Sequence, residues 1–327
     1  MGSYLLRRLG FFLVTIWVCL TINFVLPRLM PGNAAQAAMS RLRGNASPAA
    51  LKAYEIAFGI TTHVNPVTQY FEYLRNVLTG NFGVSLSFFP DRVISVILTG
   101  LPWTLGLVGV TTVLAFLAGT LIGTISGWRH GGHFDNWMPP LFIITSAFPY
   151  FFVAIIGVLL FSIRLRWLPE EFGYSTGVVP SASFSFVVDV LQHSLLPAAT
   201  IVVTSTGGWV LTMRNNMITT ISADYIRIAH AKGLSSTRIM LNYAARNAIL
   251  PNLTGFAIAL GFVVSGAILV EYVFAYPGVG YMLLESVQNN DYPLMQTLFL
   301  FITIAVLSCV LVMDVVTGML DPRVRKR

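Results

Sequence analysis

Six stretches of the chain run at least 18 residues without a charged side chain: Leu9–Leu26, Pro102–Gly127, Trp137–Ile163, Ser194–Met213, Pro251–Val270 and Leu294–Met313. A hydrocarbon core about 30 Å thick is crossed by roughly 20 apolar residues in α-helix, so each run is long enough for one span. The pattern predicts an all-α membrane protein with six transmembrane helices. Between the fourth and fifth runs the pattern inverts. Residues 222–234 read SADYIRIAHAKGL, a polar, charged stretch ending in glycine. Ser222 is placed to cap a helix, with Asp224 in its first turn and Lys232 in its last, each where the helix dipole favours its charge. Gly233 suits the left-handed position after a helix, with Leu234 as the apolar residue that follows. A second helix should open at Ser235 or Ser236, with Arg238, Asn242 and Arg246 on one basic face, before Pro251 begins the next span.

Composition supports the membrane reading: 55% of residues are apolar and 10% charged, against about 25% charged in a soluble domain. Arg7 and Arg8, the first apolar run and the small residues at 33–38 together imitate a secretory signal. Eighteen uncharged residues exceed the usual core of such a signal, about 7 to 15 residues, and favour a retained span over a cleaved one. With the N-terminus inside, the inside segments hold twelve Lys and Arg against four acids, and the outside segments eight against nine. The chain's formal charge of +7 thus divides into +8 inside and −1 outside, which predicts that both termini are cytoplasmic. That asymmetry accounts for the basic balance without a nucleic-acid partner. Cys19 and Cys309 both fall inside predicted spans, supporting neither a disulfide framework nor a thiolate metal site.

Outside the membrane, residues 31–100 form the largest soluble excursion. Pro48–Phe58 and Pro66–Leu78 each open on proline and carry apolar residues at helical spacing, as short surface helices would. The link Arg164–His193 is broken by Pro169, Gly173, Gly177 and Pro180. In the link Glu271–Pro293, Pro277, Gly278 and Gly280 interrupt the chain before a short helix from about Tyr281 to Gln288. Irregular backbone near membrane depth belongs against protein or a cavity rather than lipid, so this segment is a candidate gate, with Tyr276 and Tyr281 as amphipathic surface; a plain solvated turn is the alternative.

Several chemistries are missing. None of the three lysines, Lys52, Lys232 and Lys326, follows a glycine, so the phosphate-cradling Gly-Lys loop is not present and the chain is not expected to hydrolyse ATP itself. No Asp, Glu, Lys, Arg or His lies near the middle of a predicted span, which weakens an ion-coupled carrier or channel. His130 and His133 flank two glycines and could bind a metal, although loop histidines are the plainer reading. A membrane protein without an engine, carrying a capped polar helix on its inner side, points to an engine in another subunit. Helix 222–233 would be the handle it grips, with the small Ala229 and Ala231 allowing close seating; the alternative is an ordinary surface loop.

ADYIRIAHAKGL, followed by RNAILPN, resembles the cytoplasmic coupling loop of ABC importer permeases, most closely those of the dipeptide/oligopeptide/nickel branch and their first-permease subunit. The resemblance covers nearly the whole chain: YLLRRLGFFLVTIW, NPVTQYFEYLRNVLTGNFGVSL, HSLLPAAT, YPGVGYMLLESVQNNDYPLMQ and LDPRVR occur in the family's order. It implies a type I importer permease fold divided as residues 1–30, 31–100 and 101–327, the last containing coupling loop 214–250. It also implies a second homologous permease, two cytoplasmic ABC ATPases that bind ATP and Mg, an extracytoplasmic substrate-binding protein, and a bacterial or archaeal plasma membrane. No cofactor in this chain is implied. The coupling positions would be Asp224, Tyr225, Arg227, Ala229, Ala231, Lys232, Gly233, Leu234 and Arg238, and the outer gate Tyr276, Pro277, Gly278, Gly280 and Tyr281. The chain departs from the general permease motif, which places Glu-Ala-Ala six to four residues before its glycine, because Arg227, Ile228 and Ala229 stand there. Peptides are the favoured cargo, with oligosaccharides or nickel chelates as alternatives.

The charge division makes a direct prediction about topology. A reporter fused after Arg327 should be cytoplasmic and one inserted near Asn45 external; an external C-terminus would overturn the assignment.

Overall fold

A computed structural model describes residues 2–29 and 65–320. The helix expected over Pro48–Phe58 lies outside the described residues. The described chain is helical, with one isolated antiparallel bridge between Val84 and Arg92. In order, the helices are α1 (Gly2–Leu29), α2 (Pro66–Thr79), α3 (Val93–Trp128), α4 (His133–Ala147), α5 (Tyr150–Arg164), α6 (Phe184–Ile221), α7 (Asp224–Ala231), α8 (residues 236–248), α9 (Leu250–Val273), α10 (Val279–Gln288) and α11 (Tyr292–Leu320). Five of these are long and apolar enough to cross a membrane, and α4 with α5 supplies a sixth span if the pair is counted as one.

That pair departs from the expectation of a straight third span, because α4 and α5 meet at 91°. Pro149 is the cause. A proline disfavours helical conformation in the residue before it, and Phe148 is extended at φ −81°, ψ 133°. The link expected to be irregular as far as His193 also changes, since α6 begins at Phe184, where the Ser183 hydroxyl accepts a hydrogen bond from the Phe186 N–H. At 38 residues α6 is about 57 Å long at 1.5 Å per residue, far more than the hydrocarbon core requires.

The chain forms two compact units, residues 1–102 with 278–327, and Trp103–Pro277. In the first, α1 packs along α11. The Asn23 side-chain amide donates to the Gln296 carbonyl at 2.7 Å and to the Tyr73 hydroxyl at 3.2 Å, tying α2 to both. Asp291 is fully buried at the head of α11, where its carboxylate accepts from the Ser85 hydroxyl, the Ser87 N–H and the Leu294 N–H. One aspartate thereby caps a spanning helix and fixes the loop after α2.

In the second unit the main seam joins α3 and α6. Gly119, Gly123 and Gly127 recur every four residues on one face of α3. A Cβ on Gly119 would stand 2.4 Å from the Trp209 Cβ, on Gly123 2.6 Å from the Val210 carbonyl oxygen, and on Gly127 2.5 Å from the Met217 Cβ. Lipid tails are as apolar as the side chains, so helices in a membrane associate through close van der Waals contact, and glycine permits it. A second cluster farther along this unit gathers Leu107, Ala154, Leu196, Val263, Val270 and Phe274.

Gly123→Leu should force the seam apart at a cost of about 1–3 kcal/mol or more. The expected result is a lowered unfolding temperature in detergent. Gly208→Ala is the control, because a Cβ there meets nothing within 4 Å, and it should leave the transition in place. Equal behaviour of the two variants would show that the seam does not need its glycines.

Candidate functional site

Helix α7 is built much as the punctuation of its sequence predicts, with one correction at its start. Ser222 does not cap it. Its backbone is helical at φ −75°, ψ −7°, and its hydroxyl donates to the Thr219 carbonyl at 2.7 Å, so Ser222 closes α6. The extended residue that opens α7 is Ala223, at φ −72°, ψ 144°. Asp224 sits in the first turn and pairs with Arg227 at 3.7 Å, an exposed ion pair that contributes little to stability.

At the far end Gly233 takes φ +72°. Its N–H donates to the His230 carbonyl at 2.9 Å and that of Leu234 to the Ala229 carbonyl at 3.4 Å, the two bonds of a Schellman cap. Lys232 lies just after the last helical turn, and Leu234 packs against the cluster beneath.

That cluster determines which face α7 can offer. Ile226 and Ala229 are buried with Met213 and Met217 of α6 and Ile239, Ala244 and Ala248 of α8. Ala229 was expected on the outward face. Instead its small side chain lets α7 lie close on its own chain, and no part of it is available to a groove elsewhere. The exposed residues are Asp224, Tyr225, Arg227, Ile228, His230, Ala231 and Lys232, and Ile228 stands 55% exposed in a polar setting. Asn247 of α8 donates to the Tyr225 hydroxyl at 3.2 Å, and the His230 ring stacks on Trp128 with centroids 6.3 Å apart. Helix α8 contains π-helical turns at Ile239–Ala245, yet Arg238, Asn242 and Arg246 are all exposed.

A charged network missing from the sequence reading ties the α3–α6 seam to the start of α4. Asp135, almost fully buried, accepts from the Ser126 hydroxyl, from the Gly131 N–H at 2.9 Å, and from Arg214 through both Nε and Nη2, the latter at 2.8 Å. His130 Nδ1 lies 2.9 Å from the same carboxylate. The histidine considered as a metal ligand therefore serves an intramolecular contact. One carboxylate joins the end of α3, the following turn and the start of α4 to α6. The available signal was Arg214 and Asp135, the charges immediately flanking two apolar runs.

The residues expected at a gate are placed unit by unit. Tyr276 lies at the end of the second unit, just before Pro277, and is 3% exposed. Its hydroxyl lies 3.0 Å from Ser194 Oγ and its ring meets Trp103 edge-on, so it is a core residue and not surface; burial pushes its phenol pKa up. Gly173 packs against Trp103 and Pro277, with a would-be Cβ 2.9 Å from the former. In the first unit, Gly278 precedes α10, which begins two residues earlier than expected, and Gly280 is buried while Tyr281 is half-buried.

Comparison with known proteins gives this architecture relatives. A family described as binding-protein-dependent transport system inner membrane component matches residues 119–326. The chain is 29% identical to the di/tripeptide transport system permease protein DppB of Pseudomonas aeruginosa, over 99% of each chain. It is 29% identical to the dipeptide transport system permease protein DppB of Lactococcus lactis, over 99% of this chain and all of that one. It is 28% identical to the oligopeptide transport system permease protein AppB of Bacillus subtilis, over 99% of each.

The cap on α7 can be tested locally. No atom lies within 4 Å of a Cβ built on Gly233, so a side chain there costs only backbone strain. Gly233→Val should cost about 1 kcal/mol or more and raise amide hydrogen exchange across residues 228–234, with Gly233→Ala intermediate. Unchanged exchange in both variants would remove the cap as a constraint.

Proposed function

The chain belongs to the family of binding-protein-dependent transport system inner membrane components, and we propose from that premise that it is one permease of an ATP-driven importer of di- and oligopeptides. The observation that carries this reading is its end-to-end similarity to permeases named for di/tripeptide, dipeptide and oligopeptide transport. The chain is a multi-pass membrane protein, proposed to lie in a bacterial plasma membrane with both termini cytoplasmic. Its partners in this reading are a second homologous permease, two ABC ATPases that bind and hydrolyse ATP with Mg, and an external substrate-binding protein.

The geometry of α7 supports a mechanical role. Tyr225, Ile228 and Ala231, three residues apart, form an exposed strip with Arg227 flanking it beside Ala231, while Ile226 and Ala229 hold the helix to α6 and α8. An ATPase that displaces this strip would displace Met213 and Met217 with it. The glycine seam passes that movement from α6 to α3, and the Asp135–Arg214 pair prevents the intervening turn from absorbing it.

The proposal is tested with the assembled transporter in proteoliposomes containing ATP and its binding protein. Labelled di- and tripeptides should accumulate in an ATP-dependent manner, whereas cello-oligosaccharides and nickel should give neither uptake nor stimulation of ATP hydrolysis. ATP-dependent uptake of either alternative without peptide uptake would replace peptides as the cargo. Peptide accumulation driven by an ion gradient without ATP would remove the importer reading.

A further inference from the structure

The first unit holds a cavity of about 650 Å³ that coupling does not use. Its size falls within the range of about 300–1,000 Å³ typical of small-molecule sites. Its walls come from the end of α1, from α2 and the turn that follows, and from the first turns of α11. Gln69, Glu72, Tyr73 and Asn76 line it from α2, and their spacing of three, one and three places all four on one helical face. The opposite face of α2 carries Val67, Phe71 and Leu78, all more than half exposed. Helix α2 is therefore a wall with an apolar outer side and a polar inner side.

The charges on that inner surface define what it can hold. Arg28 lies over the Phe24 ring, 3.5 Å from its centroid, and donates to the Phe24 carbonyl and twice to Gln69 Oε1. These three bonds fix the guanidinium and leave two of its five N–H groups for another acceptor. Arg92 and Glu72 also line the cavity, and among the described residues neither has an ion-pair partner. Tyr73 is partly buried beside them, with its pKa pushed up to about 12 chiefly by burial, so it stays a neutral hydroxyl. Two guanidiniums, one carboxylate and several neutral amides and hydroxyls complement a small ligand bearing an oxyanion and an ammonium group.

We propose that this cavity is a binding site for short zwitterionic peptides on the permease itself, with Arg28 and Arg92 taking the C-terminal carboxylate and Glu72 the N-terminal ammonium. The assignment rests on the peptide reading above and adds a selection step for free peptide ends. In the proposed orientation the cavity lies at the outer end of α1 and α11, the side from which cargo arrives. A phospholipid headgroup such as phosphoethanolamine carries the same pair of charges.

The test is equilibrium binding of a labelled tripeptide to the assembled transporter in nanodiscs, before any binding protein is added. Saturable binding is expected, weakened about tenfold by N-acetylation or by C-amidation of the peptide, since each removes a charged hydrogen bond. Glu72→Gln should abolish discrimination against the acetylated peptide only, and Arg92→Gln should reduce discrimination against the amidated peptide only, with Arg92→Lys restoring it. Glycerophosphoethanolamine should not compete. Competition by it with no preference among peptide ends would make the cavity a headgroup site. Absent binding, or binding indifferent to both substitutions, would also overturn the proposal. Peptide uptake with the binding protein present would then still stand, so failure of this site is distinguishable from failure of the peptide reading.

Discussion

The second unit depends on how closely the backbones of α3 and α6 approach. Three glycines one turn apart bring α3 so near α6 that a single added carbon at any of them would overlap a carbonyl oxygen or a Cβ. Contact of this kind substitutes for the hydrophobic driving force that lipid does not supply between helices. It also fixes register, because sliding by one residue would oppose the glycines to side chains they cannot accommodate. The Asp135–Arg214 pair follows from that register. Arg214 borders Gly127 across the seam, and its guanidinium reaches the carboxylate at the start of α4 only while the seam is closed. Removing one partner of a buried ion pair costs about 3–5 kcal/mol, so the pair supports the closed seam.

Much of the fold is legible because a bilayer imposes length and composition together. Runs of about 20 uncharged residues have few other uses, and each of the six predicted runs corresponds to a long helix or to the bent pair. What composition could not reveal is direction within a run. Trp137–Ile163 is uniformly apolar whether straight or folded, and the 91° bend depends on the single dipeptide Phe148–Pro149. The extension of α6 back to Phe184 was hidden for the converse reason. The breakers Pro169, Gly173, Gly177 and Pro180 made the whole link to His193 look irregular, yet all four precede Ser183, and Asp189 of the extension accepts from both the N–H and the hydroxyl of Ser175.

The candidate site was legible at its C-terminal end and less so at its start and in its orientation. A glycine that must take positive φ, followed by an apolar residue, is a local signal, and Gly233 and Leu234 take those positions. Which side chains face outward depends on what lies beneath. Ala229 and Ala231 stand two residues apart, about 200° around a helix, and so cannot share a face; one of the two had to pack inward. Tyr276 illustrates the same limit. Read as an amphipathic surface residue, it is enclosed by Trp103 and Ser194, contributed from segments far away in sequence.

In the proposed importer, the shape of α7 would suit it to transmit force. Eight residues give a rod about 12 Å long, too short to be stable alone in water. Its helicity therefore comes from Ile226 and Ala229 packing on the chain and from closure at Gly233. Such an element cannot move independently of α6 and α8 without losing the contacts that keep it helical. Under the proposed coupling, a load on its exposed strip would be carried into Met213 and Met217, against which α7 packs, and along the seam. The side chains that would receive the load, Tyr225 and Ile228, are 41% and 55% exposed, and Tyr225 is also tied to α8 through Asn247. A partner that buries them gains apolar contact area while pressing on a helix whose opposite face is already close-packed.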